Sequence, residues 1–313
     1  MQWKTVELVD KPVLTYFFNI MTEVSYERSF TDIMLWQYRY RVEYAVDDDF
    51  LCIRSHSHDG SLSYFFPIGE GDVYTCLVNL IDDFEYYKHS KPGLTLFKMQ
   101  ALTKNQKAKL EKFFPNRFVI NPAKDQYDYV YHIQNLINLT GAAYHSKKNH
   151  INRFKRSYQY KYETLSIDNI EILLSCYDRF YSDTQVTNLH YEQQGLNFLL
   201  NHYQELNYDG GLLFVDDELT AFTLGEQLSS DMFVIHIEKA NRAYLGAYQM
   251  INQLFLINNC KDFHYVNRAN DAGVPSLAKA KLSYHPSFFI MKYIAVDASS
   301  CHFRPNLKKK GNI

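Results

Sequence analysis

Three ionisable residues stand close together on segments otherwise fit for burial. Met232-Phe-Val-Ile-His-Ile-Glu238 reads as a strand, and its alternation sends His236 and Glu238 to one face. Glu226 follows Gly225 on the preceding strand, and the turn around Ser229-Ser230 decides where it points. A two-residue turn puts Glu226 on the face opposite His236, whereas one extra loop residue brings all three together. A carboxylate there can deprotonate an amine nucleophile while the imidazole orients it or relays the proton. Glu238 is the first candidate for the base, Glu226 the second, and His236 the orienting group. A satisfied structural His-Glu pair gives the same pattern.

The next residues suit an anion. Lys239-Ala-Asn-Arg242 leads through Tyr244-Leu-Gly246-Ala247 into an apolar helix, and a strand opening into a helix through small residues presents free backbone N–H groups. Gly246 serves tight strand–helix packing equally well. Further on, Asn267-Arg268-Ala-Asn270-Asp271-Ala-Gly273 forms the densest polar cluster, and Pro275 starts a short helix carrying Lys279 and Lys281 ahead of Tyr284. Lys239, Arg268 and Lys281 are candidate anion contacts, and Tyr284 could protonate the leaving oxygen of an acyl transfer. From Ser146 to Tyr162 there are six Lys/Arg and no acid, while Tyr144, Ile151, Phe154 and Tyr158 mark an apolar helix face. Lys148, Asn149 and Arg153 interleave amide and cationic donors, as phosphate contacts do. A solvated surface helix is the plainer reading of such a charge run.

The elements that position these residues repeat. Val42 to Val46 and Phe50 to Arg54 flank three aspartates, Ser63 to Ile68 supplies a third strand, and Gly71 to Phe84 is helical. A shift of 169 positions lays Gly211 to Val215, Asp216-Asp217-Glu218 and Leu219 to Leu228 over the first two strands, and Met232 to Glu238 over the third. The helix Tyr244 to Asn258 follows in the second copy. We read a duplicated module of antiparallel strands leading into a helix, with domains at 1–135 and 136–313. Upstream, Pro12 after Asp10-Lys11 opens a helix bearing Val13, Leu14, Phe17 and Phe18.

Composition bounds the possibilities. The 313 residues are 46% hydrophobic and 16% aromatic, with 33 Lys+Arg against 35 Asp+Glu for a formal charge of -2. This excludes disorder and coiled coil, and it argues against whole-molecule attraction to nucleic acid, since steering follows the summed field. Cys52, Cys76, Cys176, Cys260 and Cys301 are scattered without a Cys-x-x-Cys pair, so no zinc ribbon, other metal site or disulfide framework is expected. Met1 to Glu7 lacks a continuous apolar h-region and no window of about 18 residues is free of charge and polar breaks, so a soluble, unexported protein of the cytoplasm is expected.

The stretches Leu139-Thr-Gly-Ala-Ala-Tyr144-His145-Ser-Lys-Lys148-Asn149-His150-Ile-Asn-Arg153-Phe154, Ala221 to Glu226, Ile235 to Ala240, Asn267 to Gly273 and Ala280 to Pro286 resemble, in that order, the phosphatidylglycerol lysyltransferase C-terminal domain family. The resemblance covers most of the chain. It implies an α+β fold of two tandem GNAT-like modules, each a mixed, mainly antiparallel sheet flanked by helices, similar also to Fem aminoacyl transferases. It further implies acyl transfer, with aminoacyl-tRNA or acyl-CoA as donor and a small molecule or lipid headgroup as acceptor. No other cofactor is implied. Acetyl-CoA-using GNAT proteins carry Gln/Arg-x-x-Gly-x-Gly/Ala, whereas with the first glycine at Gly246 this chain has Ala243 and Tyr248 at the flanking positions. The family helix also carries Arg where this chain has Ala278. The alternative is a non-catalytic GNAT pair that binds an anionic metabolite, a nucleotide or an RNA end.

Overall fold

Hairpins dominate because short alternating strands are punctuated by residues that tolerate left-handed backbone. In the turn between Asp209–Val215 and Glu218–Gln227, Asp216 and Asp217 have φ of 48° and 63°, the mirror-image turn that suits the twist of a hairpin. The computed structural model describes residues 1–21, 25–57, 59–91, 93–94, 96–181 and 189–298. Cys301 lies outside them.

The chain forms two units, each discontinuous in sequence: residues 1–4, 43–123 and the segment from 292 make the first, and residues 5–42 and 124–291 the second. The sequence-based expectation placed one boundary at 135/136. The contact division differs because helix Phe30–Tyr40 packs against helix Leu189–Asn201, which draws the N-terminal helices into the second unit.

Strands run through the first sheet in the order Lys4–Thr5, Val42–Asp47, Phe50–His56, Leu62–Tyr64, Lys98–Leu102, Tyr293–Asp297 and Phe118–Pro122. The expected third strand, Ser63 to Ile68, is broken. Leu62–Tyr64 pairs along Phe50–His56, and Ile68–Gly69 pairs separately with Phe50 and Leu51, because Pro67 cannot donate to a ladder. Helix Val73–His89, capped by Asp72, covers this sheet with Cys76, Leu77, Leu80 and Phe84 in the core.

The second sheet is ordered Phe288–Ile290, Asp128–His132, Tyr265–Asn267, Met232–Ala240, Glu218–Gln227, Asp209–Val215 and Tyr160–Thr164. All neighbours are antiparallel except Met232–Ala240 with Tyr265–Asn267. Helix Ala247–Asn259 buries Met250, Ile251, Phe255 and Leu256 against Phe233, Ile235 and Ala221 on one face. Helix His145–Ser157 adds Ile151 and Phe154 to the same core and leaves Lys148, Asn149 and Arg153 exposed. Both sheets are mixed and flanked by helices, so the fold is α+β as expected.

Candidate active site

The strand carrying the acids is bulged. Leu224 pairs with Ile237 and Gly225 with Ile235, so His236 is the extra residue that faces no partner. Gly225 permits this, since a Cβ there would lie 2.2 Å from the Val234 carbonyl oxygen. The bulge overturns both arrangements expected from the turn. His236 joins Glu226 on one face, while Glu238, opposite Thr223, faces the other way. The expectation that His236 and Glu238 share a face assumed an unbroken alternation.

On the first face, His236 Nε2 lies 2.8 Å from Glu226 Oε1 and Nδ1 lies 3.7 Å from Asp32 Oδ1. Helix Phe30–Tyr40 supplies these neighbours. Ser29 caps the helix by accepting from the Asp32 N–H at 2.9 Å, its hydroxyl donates to Glu226 Oε1, and Thr31 donates to Glu226 Oε2 at 2.9 Å. Burial opposes the imidazolium charge, but Asp32 and Glu226 outweigh it and raise the His236 pKa to about 9. Burial likewise opposes the Glu226 carboxylate, and His236 with the two hydroxyls holds its pKa below the usual range. The His236 side chain is 0% exposed, so its imidazolium, held between two carboxylates, is out of reach of a substrate. Lys239 lies on the same face. Its ammonium pairs with Glu192 at 2.6 Å and sits over the Tyr181 ring, which removes it from the expected anion contacts.

The opposite face holds the remaining candidates. Met232, Phe233 and Val234 pair with Tyr265, Val266 and Asn267, and the ladder between these parallel strands then ends. Glu238 and Arg268 meet across the resulting gap: Arg268 Nη2 donates to Glu238 Oε1 at 2.8 Å, and Asn252 Nδ2 donates to Oε2 at 2.8 Å. Burial works against the Arg268 charge, and Glu238 more than restores it. The guanidinium also lies 4.9 Å from the centre of the Tyr284 ring, and Lys147 lies 4.2 Å from the same ring. Burial pushes the Tyr284 phenol well up, so it stays protonated and can donate.

The loop after Tyr265–Asn267 is largely self-satisfied. Asn267 donates to Asp128 at 2.9 Å and accepts from the Ala269 N–H at 2.8 Å, and Asp271 accepts from Tyr129 at 2.5 Å and from the Gly273 N–H at 2.9 Å. Asn270 donates to Tyr26 at 2.7 Å. Lys281 spends its ammonium on the carbonyl oxygens of Arg268 and Asn270. Burial, then the Arg268 charge, lowers its pKa to about 7. These residues hold the loop that carries Arg268; they do not point free donors at a guest.

Gly246 has φ of 96°, and a Cβ there would lie 2.6 Å from the His150 carbonyl oxygen, so close packing accounts for this glycine. Ala247 starts the helix and is buried; Tyr244 donates to Glu218 at 3.2 Å and stacks edge-on against Tyr158. Lys279 is exposed. The acids and cations of the second unit therefore separate onto two faces and largely pair with one another. Residues not singled out from sequence complete both sets: Ser29, Thr31 and Asp32 around Glu226, and Asn252, Tyr131 and Lys147 around Arg268. The Ser29-Phe-Thr-Asp32 run carried an N-cap signal, but nothing local tied it to a strand some 200 residues on.

The two mixed sheets, each backed by helices, are an acyltransferase-type fold. The arrangement is similar to that of a tandem GNAT protein from the clavulanic acid biosynthesis pathway, at 7% identity and TM-score 0.50 over 94% of this chain and 98% of that one. It is also similar to L-PGS from Bacillus licheniformis, at 13% identity and TM-score 0.59 over 92% of each. A conserved protein of unknown function from Bacteroides thetaiotaomicron is 32% identical with TM-score 0.86, over 95% of this chain and 99% of that one. Residues 18–296 match the family described as phosphatidylglycerol lysyltransferase, C-terminal, and the chain belongs to that family. An uncharacterised curated relative from Mycoplasmoides gallisepticum is 27% identical over 180 residues, so the match spans 53% of this chain and about half, 55%, of that relative.

Proposed function

We propose that the chain transfers an acyl group, in the first instance an aminoacyl group from aminoacyl-tRNA, to an amine or hydroxyl acceptor, and that the chemistry takes place on the Glu238 face of the second unit. The observation that carries this is the gap beyond Val234 and Asn267, where a carboxylate, a guanidinium and a buried phenol meet. Acyl transfer needs a base, positive charge for the developing oxyanion and an acid for the leaving group, with proximity supplying much of the rate. In the proposed step the acceptor attacks the carbonyl and gives its proton to Glu238. A new C–N or C–O bond forms, the bond to the carrier oxygen breaks, and Tyr284 protonates that oxygen. A donor anion that draws off Arg268 frees Oε1 of Glu238 to act, while Asn252 holds Oε2.

Ala243 and Tyr248 stand where an acetyl-CoA motif has Gln/Arg and Gly/Ala, and packing explains Gly246; both favour aminoacyl-tRNA over acyl-CoA. The exposed cations of His145–Ser157, among them Lys148 and Arg153, suit an RNA backbone. Among the described residues no helix is long and apolar enough to cross a membrane. The proposed setting is the cytoplasm, with a small molecule or lipid headgroup as acceptor.

One observation favours a second reading, a non-catalytic protein that holds an anionic metabolite, nucleotide or RNA end: both Glu238 oxygens are already engaged and His236 is sealed. Incubation of the purified chain with aminoacyl-tRNA and acyl-CoA panels and amine acceptors separates the two. Acyl transfer supports the enzyme. Binding of donor without loss of its acyl group supports the second reading. Steep salt dependence of donor binding marks tRNA, and a shallow one marks a small donor.

A further inference from the structure

Lys147 is the charged residue of this region that sequence reasoning left out of the site. It belongs to the first turn of His145–Ser157, which continues a 3-10 turn over Ala142–Tyr144 and holds no acidic residue; the His145 N–H donates to the Ala142 carbonyl, so the positive charge here is that of the Lys147 side chain. The start of this helix is fastened beside Tyr284: Tyr144 lies edge-on to His285 with ring centres 5.6 Å apart, and the His285 ring nitrogen Nε2 lies 3.2 Å from the Ala143 carbonyl oxygen. Lys147 and Arg268 lie 4.2 and 4.9 Å from one phenol ring. Arg268 commits Nη2 to Glu238, but its buried Nη1 has no hydrogen-bond partner, and no carboxylate among the described residues pairs with Lys147. Burial, then the Arg268 charge, lowers the Lys147 pKa, so the two cations oppose each other. Two mutually repelling cations and an orphan guanidinium N–H are relieved by one guest, a compact oxyanion.

We infer that Lys147 and Arg268 form an oxyanion subsite that takes a phosphate or carboxylate group of a substrate. Only the identity of that substrate rests on the proposed acyl transfer. Lys147 lies on a different helix from Ala247–Asn259, at whose start sequence placed the anion cradle.

The test is titration of the purified chain with inorganic phosphate, pyrophosphate or acetate at constant ionic strength, read by calorimetry and by melting temperature. Saturable binding is expected, weakened about tenfold by Lys147→Met, retained by Lys147→Arg and unchanged by Lys261→Gln. Phosphate and pyrophosphate without acetate identifies a phosphate subsite, and the converse a carboxylate one. In wild type the bound anion should also protect Lys147 from acetylation by acetic anhydride, as read by mass spectrometry, which keeps the inference testable if Lys147→Met fails to fold. Absence of saturable binding overturns it, as does binding that ignores Lys147→Met and leaves Lys147 unprotected. Anion binding without acyl transfer sinks the proposed function alone; acyl transfer with no anion bound sinks the subsite alone.

Discussion

His236 and Glu238, two residues apart on one strand, face opposite sides of their sheet. His236 is the unpaired residue of a bulge and lies 2.8 Å from Glu226, whereas Glu238 takes a 2.8 Å hydrogen bond from Arg268. One inserted residue thus sorts the ionisable groups of the second unit into one set around the buried His236 and a second set facing the gap between two strands.

The bulge depends on Gly225. Gly225→Ala forces a methyl to within 2.2 Å of the Val234 carbonyl oxygen unless the strands shift. We expect a loss of about 2–3 kcal/mol in urea denaturation. A variant as stable as wild type would show that the bulge tolerates a side chain.

His236 gives stability a pH dependence of known sign. Its pKa rises from 6.5 to about 9 on folding, so its contribution is complete below 6.5 and disappears as pH climbs through about 9. Glu226, whose pKa is lowered, adds stability that is present above its unfolded pKa and lost as pH falls through the folded one. His236→Gln should cost about 3 kcal/mol at pH 6, and the deficit should shrink towards pH 9.5. A deficit that does not change with pH contradicts this assignment.

Lys281 acts in the opposite sense. With its pKa lowered from 10.5 to about 7, the unfolded chain binds the proton more tightly, and this contribution to stability grows from pH 7 to 10.5. Relative to wild type, Lys281→Met should therefore lose ground as pH rises through that window. Wild-type stability alone mixes the two residues, so denaturation of wild type and both variants across pH 6–10 is the measurement. Parallel curves for wild type and Lys281→Met contradict the lowered pKa.

Glu238 and Arg268 should couple strongly, because removing either leaves a buried charge. A double-mutant cycle of Glu238→Gln and Arg268→Gln is expected to give a coupling of about 1–3 kcal/mol in denaturation. Additive effects would mean the two groups are solvated independently.

Much of the fold was legible because alternation and turn chemistry act locally. The Val-Asp-Asp turns, the helices after each third strand and the basic His145–Ser157 helix all lie near their expected positions. The bulge was not legible, since a single extra residue leaves no mark in hydrophobic pattern. Long-range pairing was also hidden: Asp32 reaches His236 only because helix Phe30–Tyr40 joins the second unit, and Lys239 reaches Glu192 on a separate helix. At Asn267, Asn270 and Asp271 the residue types suggested ligand contacts, yet a loop leaving a buried strand needs the same groups to satisfy its own backbone.

Turnover of an aminoacyl-tRNA or acyl-CoA donor by Glu238→Gln and Glu226→Gln, each compared with wild type at equal folded fraction, tests most directly whether chemistry occurs at the strand gap. The account predicts that Glu238→Gln loses about 10²- to 10⁴-fold in rate while folded Glu226→Gln keeps its rate within a few fold. Full turnover by Glu238→Gln, or a selective loss in Glu226→Gln, would contradict it.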